Sequence, residues 1–346
     1  MRHLFRRCAV LFPCGALLFA PAALPQAKVP KSPDIRVTVD RVNVGVIVTD
    51  HHGNFVGGLQ RGDFQVFDDG VEQPITDFYN VDEPAQVLLL IEAGPAVYLL
   101  EGGHLQAVHA LLNGLSPGDR IAIARYDESA EPILGFTSDK LVAAAVLDQL
   151  HFNLGFGQLN LAASLVTALD WVARVPGKKS LVLLSTGVDT SPPAAAETLL
   201  ARLKSTDVRV LAVSLGGELR SANPAGRKRS RKDQVVPEKE QTAAEGFAQA
   251  DEELQAITQA NGGRVYFPAT SKDFGEVFAQ IAQLVRHEYS VGFVPRAQDG
   301  KVHSIEVRVT ESAKTNSSIT RQSSAAQASY RVDHRQAYVA PVPPAP

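Results

Sequence analysis

Five apolar residues, Val87-Leu88-Leu89-Leu90-Ile91, run into a carboxylate, Glu92, and then into Ala93-Gly94-Pro95-Ala96. A continuous apolar run bounded by turn residues suits a strand buried on both faces, the central position of a parallel sheet. In open α/β sheets, ligands bind outside the carboxyl ends of such strands. The stretch therefore predicts a rim at Glu92, Gly94 and Ala96. What those residues can hold bears directly on function.

The chain after this strand alternates in period. Apolar strands are predicted over 120–126, 180–185, 208–215 and 264–267, with a short strand over 132–136 beside the first of these. Helices are predicted over 101–115, 139–150, 159–175, 192–205, 251–260 and 273–286. Ser116-Pro117-Gly118 and Asn261-Gly262-Gly263 read as helix stops, and Thr137-Ser138-Asp139 as a helix start. This alternation predicts a Rossmann-like, doubly wound, mostly parallel sheet with helices on both faces.

The flanks have a different texture. Val42, Val44, Val46 and Val48 recur with period two, and Asp68-Asp69-Gly70-Val71 marks a tight hairpin. Period two returns at Tyr289, Val291 and Phe293 and at Ile305, Val307 and Val309, with a final strand expected within 330–339. The predicted organisation is an N-terminal β-rich segment over 28–84, an α/β domain over 85–287, and a C-terminal β segment over 288–340 that pairs with the first. A proline-rich tail covers 341–346. The α/β domain would thus be inserted into a small β-rich domain.

Residues 1–27 carry Arg2, Arg6 and Arg7 before the apolar run Cys8–Ala20, followed by small residues at Ala22, Ala23 and Ala27. This is the pattern of a secretory signal peptide, with an uncleaved membrane anchor as its competitor. The expected location is therefore exported: periplasmic, envelope-associated or secreted. Both cysteines, Cys8 and Cys14, lie in that segment. A mature chain without it has no disulfide, thiol nucleophile or zinc–thiolate site. Its formal charge would move from −3 to −6 with the loss of the three arginines, which gives general nucleic-acid binding no support.

Many short segments, in order, resemble a von Willebrand factor type A domain, and more narrowly the exported bacterial VWFA-related proteins known largely from acidobacterial genomes. They are Val46-Ile47-Val48-Thr49-Asp50 with Gly53, Val56-Gly57-Gly58-Leu59, and Asp63-Phe64-Gln65-Val66-Phe67-Asp68-Asp69-Gly70. Next come Asp119-Arg120-Ile121-Ala122-Ile123, Phe136-Thr137-Ser138-Asp139 and Leu181-Val182-Leu183-Leu184-Ser185. Asn261-Gly262-Gly263-Arg264-Val265-Tyr266 and His287-Glu288-Tyr289-Ser290-Val291-Gly292-Phe293 close the series. The resemblance implies binding, not catalysis, through a metal-ion-dependent adhesion site. That site takes an Asp-x-Ser-x-Ser after the first strand, a Thr from a later loop and a second Asp. Mg²⁺ wants hard oxygens in octahedral array with one position open to a partner's carboxylate.

This sequence departs from that pattern at nearly every ligand. Glu92 stands for the first Asp, and Gly94 and Ala96 for the serines. Gln158-Leu159-Asn160 lie near the expected Thr, and Thr186 replaces the second Asp. Glu92 and Asp189 remain as carboxylates, with Thr186, Thr190 and Ser191 as neutral oxygens. The expectation is a degenerate metal site and no cofactor, with Mg²⁺ or Ca²⁺ at Glu92, Asp189 and Thr186 as the weaker alternative. The expected binding rim is Glu92, Gly94, Ala96, Asp127, Gln158, Leu159, Asn160, Thr186 and Asp189, with Glu128 and Glu131 extending an acidic edge.

Other features read blandly. Gly155-Phe156-Gly157 lacks the third glycine of a phosphate loop. His51-His52 lie in a turn with no third ligand. His104 and His109 are five apart on a helix, His287-Glu288 near a helix end suit surface or packing, and Trp171 suits core. The insert 216–245 is expected to be a disordered loop, with Arg227, Lys228, Arg229, Arg231 and Lys232 as a basic cluster lacking aromatics to stack bases. The leading expectation is a non-catalytic, exported protein-binding or scaffold protein with an unidentified protein partner and no nucleic-acid partner. The alternatives are metal-dependent adhesion through Glu92 and Asp189, an enzyme on the Rossmann-like sheet, and electrostatic docking to a membrane or polyanion through 227–232. Membrane contact would come only through that loop or an uncleaved N-terminus.

Overall fold

A computed structural model describes residues 41–81, 83–94, 97, 103–150, 158–217, 238–310 and 330–342. The expected signal segment, Ala96, the Gly155-Phe156-Gly157 loop and the basic cluster 227–232 lie outside the described residues. Strand β1 (Val42–Thr49) buries Val42, Val44, Val46 and Val48, as its period-two valines require. His51 and His52 follow in an exposed turn. β2 (Phe64–Asp68) and β3 (Val71–Gln73) form a hairpin. Its turn puts Asp69 at φ 48° and Gly70 at φ 77°, the doubly left-handed geometry that an Asp-Gly pair accommodates. β4 (Ile75–Val81) leads into β5 (Ala85–Glu92).

The α/β part then runs α1 (Gly103–Gly114), β6 (Arg120–Tyr126), β7 (Ala130–Thr137), α2 (Lys140–Asp148), α3 (Leu161–Ala173), β8 (Lys178–Ser185), α4 (Pro193–Ser205), β9 (Arg209–Ser214), α5 (Glu238–Ala260), β10 (Arg264–Tyr266) and α6 (Ser271–Leu284). Its sheet has the order β10-β9-β8-β5-β6-β7, parallel except for the edge strand β7. All eight residues of β5 are buried. Val87, Leu89 and Ile91 pack with α1, α2 and α6 on one face, while Leu88 and Leu90 pack with α3, α4 and α5 on the other. This two-sided burial is what the continuous apolar run encodes. The chain leaves β5 toward β6 on one side and later returns to β8 on the other. The strand order thus reverses at β5 and β8, and their carboxyl ends define the crevice position of a doubly wound sheet. Asp139 caps α2 by accepting hydrogen bonds from the Leu141 and Val142 amides.

After α6 the chain returns as β11 (Glu288–Phe293), β12 (Val302–Val309), β13 (Arg331–His334) and β14 (Ala337–Val339). These strands complete two antiparallel four-stranded sheets, β13-β1-β11-β4 and β14-β12-β2-β3. One core is shared by both sheets, with Val44, Val46, Tyr289 and Phe293 from the first and Phe64, Val66, Ile305 and Val307 from the second. Strand β4, by which the chain leaves this sandwich, pairs directly with β11, by which it returns. Tyr289 donates from its hydroxyl to the Val56 carbonyl at 2.8 Å and accepts from the Leu59 amide at 3.1 Å, tying down the loop before β2.

Two expectations need correction. The strand within 330–339 is two strands in different sheets, β13 on β1 and β14 on β12, separated at Arg335 and Gln336. The helix expected over 251–260 begins at Glu238, so 238–245 is helical and not part of a disordered loop. Its first half is Glu-, Gln- and Ala-rich, with strong intrinsic helix preference and no apolar stripe to announce it. Trp171, half-buried, packs against the core as expected, edge-on to Phe136 at 5.7 Å between ring centres.

Two arginines at the amino ends of sheet strands brace the α/β part against the sandwich. Arg209 donates from Nη1 to the Gly262 carbonyl at 3.0 Å and from Nη2 to the Gly45 carbonyl at 3.1 Å and Glu288 Oε2 at 3.3 Å. Arg264 donates to Thr49 Oγ1 at 3.0 Å and pairs with Asp333.

Candidate functional site at the carboxyl ends of β5 and β8

Three neighbouring parallel strands each end on a polar side chain. Glu92 closes β5, Tyr126 closes β6 in register with it, and Ser185 closes β8. All three have zero exposure. Glu92 Oε2 accepts from the Thr186 amide at 2.7 Å, Thr186 Oγ1 at 2.8 Å, Ser185 Oγ at 3.0 Å and the Tyr126 hydroxyl at 3.1 Å. Tyr126 and Ser185 also bond each other at 2.7 Å, and the Gly187 amide donates to Ser185 Oγ at 2.9 Å. Burial pushes the Glu92 carboxyl above its ordinary value, against the opposing pull of these donors. The Tyr126 phenol is pushed well up, first by burial and then by the Glu92 charge.

The expected rim is thus divided. Glu92 and Thr186 lie under the surface, not on it. Gly94 is buried too, and a Cβ there would meet Leu159 Cδ2 at 2.7 Å. Leu159 itself is fixed by exchange with Thr190: its amide donates to Thr190 Oγ1 at 2.9 Å, and its carbonyl accepts from the Thr190 amide at 2.7 Å. Gln158 is exposed. Asn160 donates from its amide to the Asp127 carbonyl at 2.8 Å and from Nδ2 to the Glu128 carbonyl at 2.9 Å, holding its own loop to the one after β6. Asp189 accepts from the Leu161, Ala162 and Ser191 amides at 3.0, 3.1 and 2.8 Å. It serves as the cap of α3, whose own preceding residue, Asn160, makes no side-chain cap bond. Glu131 pairs with Arg125 at 2.8 Å, so it does not join an acidic edge with Glu92.

A six-coordinate Mg²⁺ needs hard oxygens converging on a point open to water or partner. The described side chains do not fit that ion. Glu92 is enclosed by protein donors, Gly94 brings no oxygen and lies under Leu159, and both oxygens of Asp189 serve helix amides. Elsewhere, Asp68, Asp69 and His303 bring potential ligand atoms within 4.8 Å of one another in the sandwich, making a metal there chemically possible. In the structure His303 instead bridges Asp69 at 2.7 Å and Asp299 at 3.0 Å. His109 pairs with Asp148 at 3.2 Å on the surface.

Beside the buried cluster is an open cleft of about 390 Å³ between Gly187-Val188-Asp189 and the Gly246, Gln249, Ala250 and Glu253 positions of α5. Gly187, at φ +81°, approaches α5 so closely that a Cβ would lie 2.5 Å from the Ala250 carbonyl oxygen. The Glu253 carboxyl is pushed up by burial and by Asp189. Sequence reasoning named Asp189 but missed Tyr126, Ser185 and α5. A legible signal was present for the first two, since each ends an apolar strand on a polar residue.

The architecture is a Rossmann-like, doubly wound α/β domain set in a β-sandwich. The chain matches no protein-family model and no curated protein. Solved structures it is similar to include an aerotolerance-related membrane protein from Bacteroides fragilis, at 14% identity over 58% of this chain and 99% of that one, TM-score 0.41. A von Willebrand factor type A protein from Catenulispora acidiphila matches at 10% identity over 80% and 72%, TM-score 0.42. Proximal thread matrix protein 1 from the mussel byssus, with zinc in its MIDAS motif, matches at 14% identity over 61% and 49%, TM-score 0.40. Among the described residues no helix is long and apolar enough to cross a membrane.

Proposed function

We propose that this chain is a non-catalytic, exported binding protein that engages a protein partner without a shared metal ion. The observation that carries this reading is the Glu92 carboxylate, fully enclosed and held by Thr186, Ser185 and Tyr126 where an adhesion metal would need open oxygens. In this reading the position has kept its place in the fold and exchanged the ion for an internal hydrogen-bond cluster. Burial also argues against catalysis there, since a nucleophile must reach its substrate and Ser185 and Tyr126 have no exposed surface. Recognition then falls to the exposed cleft between Val188-Asp189 and Gln249-Glu253.

Calorimetry with Mg²⁺, Mn²⁺ and Ca²⁺ tests the metal-free reading, with Glu92→Gln as the reference. No saturable binding that depends on Glu92 is expected. Micromolar binding lost in Glu92→Gln overturns it. A crosslinking pull-down from the native envelope, with and without chelator, should capture the same partner in both arms and lose it in Val188→Arg. Capture that chelator abolishes contradicts the proposal.

A further inference from the structure

At the opposite end of the sheet, where the amino ends of β8 and β9 meet the sandwich, lies a cavity of about 190 Å³. Four cations line it: Lys178, Lys179, Arg209 and Arg335. Among the described residues two carboxylates do so, Asp207 and Glu288. Lys179 pairs with Asp207 at 2.7 Å. Glu288 Oε2 is shared, 3.3 Å from Arg209 Nη2 and 4.0 Å from Lys178 Nζ. Arg335 forms no ion pair among the described residues. One of its nitrogens donates to the Asn43 carbonyl at 2.8 Å, and its Nε is buried with no hydrogen-bond partner. The lining thus carries two more positive than negative charges.

Arg335 is half-buried, with its Nε enclosed and unsatisfied, and an arginine does not escape that cost by losing its proton. Burial does push the Arg335 guanidinium below its ordinary value, Asp207 opposing that shift. Gly45 makes room for this arrangement: a Cβ there would sit 3.0 Å from Glu288 Oε2 and 3.2 Å from Arg209 Nη2. The cavity is many times the ~10–15 Å³ that one water needs, yet below the ~300–1,000 Å³ of sites for drug-sized ligands.

We propose that this cavity binds a compact oxyanion, a phosphate or a small dicarboxylate, with Arg335 and Lys178 as its cationic contacts. The planar guanidinium fork matches either group. The site is separate from the carboxyl-end cleft and does not depend on how that cleft works. Because its lining comes from both the sandwich and the α/β sheet, a bound anion would reinforce the joint between them and raise the unfolding temperature with the logarithm of one plus the ratio of anion concentration to Kd.

The test is calorimetry on the whole chain with inorganic phosphate and, separately, malonate, at constant ionic strength with chloride as background. One-site binding of either anion is expected, weakened at least tenfold by Arg335→Gln and less by Arg335→Lys. Phosphate binding without malonate binding, or the reverse, identifies the preferred anion. Circular dichroism and the anion-free unfolding temperature establish that both variants fold. Absence of binding for both anions overturns the proposal. So does binding that Arg335→Gln leaves unchanged, which would mark a general salt effect.

Discussion

The Tyr126 phenol donates to the Glu92 carboxylate at 3.1 Å across two parallel strands, with both residues wholly buried. Glu92 is therefore a structural acid in the core, where the fold's position suggested a ligand at the rim. Replacing Glu92 with alanine would strand the Thr186, Ser185 and Tyr126 donors and leave a void. A loss of about 2–4 kcal/mol in urea unfolding is expected. Glu92→Gln, which keeps the shape and part of the bonding, should lose much less.

The same carboxyl gives a pH signature. Its native value is raised above the ordinary 4.5, so the folded state holds the proton more tightly than the unfolded chain. Stability relative to Glu92→Gln should be greatest below 4.5. It should fall as pH rises through the raised native value and level off above it. Paired denaturation curves across acid to neutral pH read this directly. A gap that widened in favour of the wild type with rising pH would contradict the assignment.

His303 gives the second titration. Hydrogen bonds first to Asp299 and then to Asp69 raise it above 6.5. The contribution of this group is therefore fully present below 6.5 and lost as pH rises through its native value. Nuclear magnetic resonance of the His303 ring should report a raised midpoint in the wild type. Asp69→Asn should bring it back toward 6.5.

Gly94 offers a direct test of the fit between fold and ion. Serine there would restore one oxygen, but its Cβ would press on Leu159 Cδ2. Gly94→Ser alone should cost about 1–3 kcal/mol from overpacking and gain no cation affinity. Adding Leu159→Ala should recover part of that stability in thermal melts, because it removes the colliding methyls.

The pairing of Arg264 with Asp333 joins β10 to the sandwich with both side chains nearly buried. Breaking one side of a buried pair typically costs about 3–5 kcal/mol. Asp333 also pairs with Arg331 at 2.9 Å and would keep that partner, so Arg264→Ala should lose less than that in chemical denaturation. A smaller effect in the double variant with Asp333→Ala would show that the residual cost was an orphaned charge.

The central strand was legible because Val87–Ile91 is apolar at every position, a pattern that only two-sided burial explains. The two flanking β segments were legible through period two. The orientation of Glu92 was not, since a carboxylate after an apolar strand reads equally as rim or core until its neighbours are known. Those neighbours, Tyr126 and Ser185, are far away in sequence and meet only through strand register. Asp189 was visible as a nearby acid, but its use as the cap of α3 depends on two loops arriving together. The long helix α5 hid its start because Glu238–Ala250 has helix preference without an apolar stripe. The Arg335 cavity had no local sequence signature, because its charges come from four separate segments.

Strand β1 finds both of its partners, β11 and β13, only near the other end of the chain; Val46 sits opposite Tyr289 and His334. During synthesis the first strands of the sandwich therefore emerge long before anything can cover them, while every strand of the parallel sheet is available before β11 appears. The α/β part can form first and, because β4 and β11 are neighbours, deliver the late strands to the waiting ones. Until then Val42–Thr49 is an apolar edge in need of a holder, and for this chain the interval between making β1 and making β11 is the period of greatest exposure to misassembly.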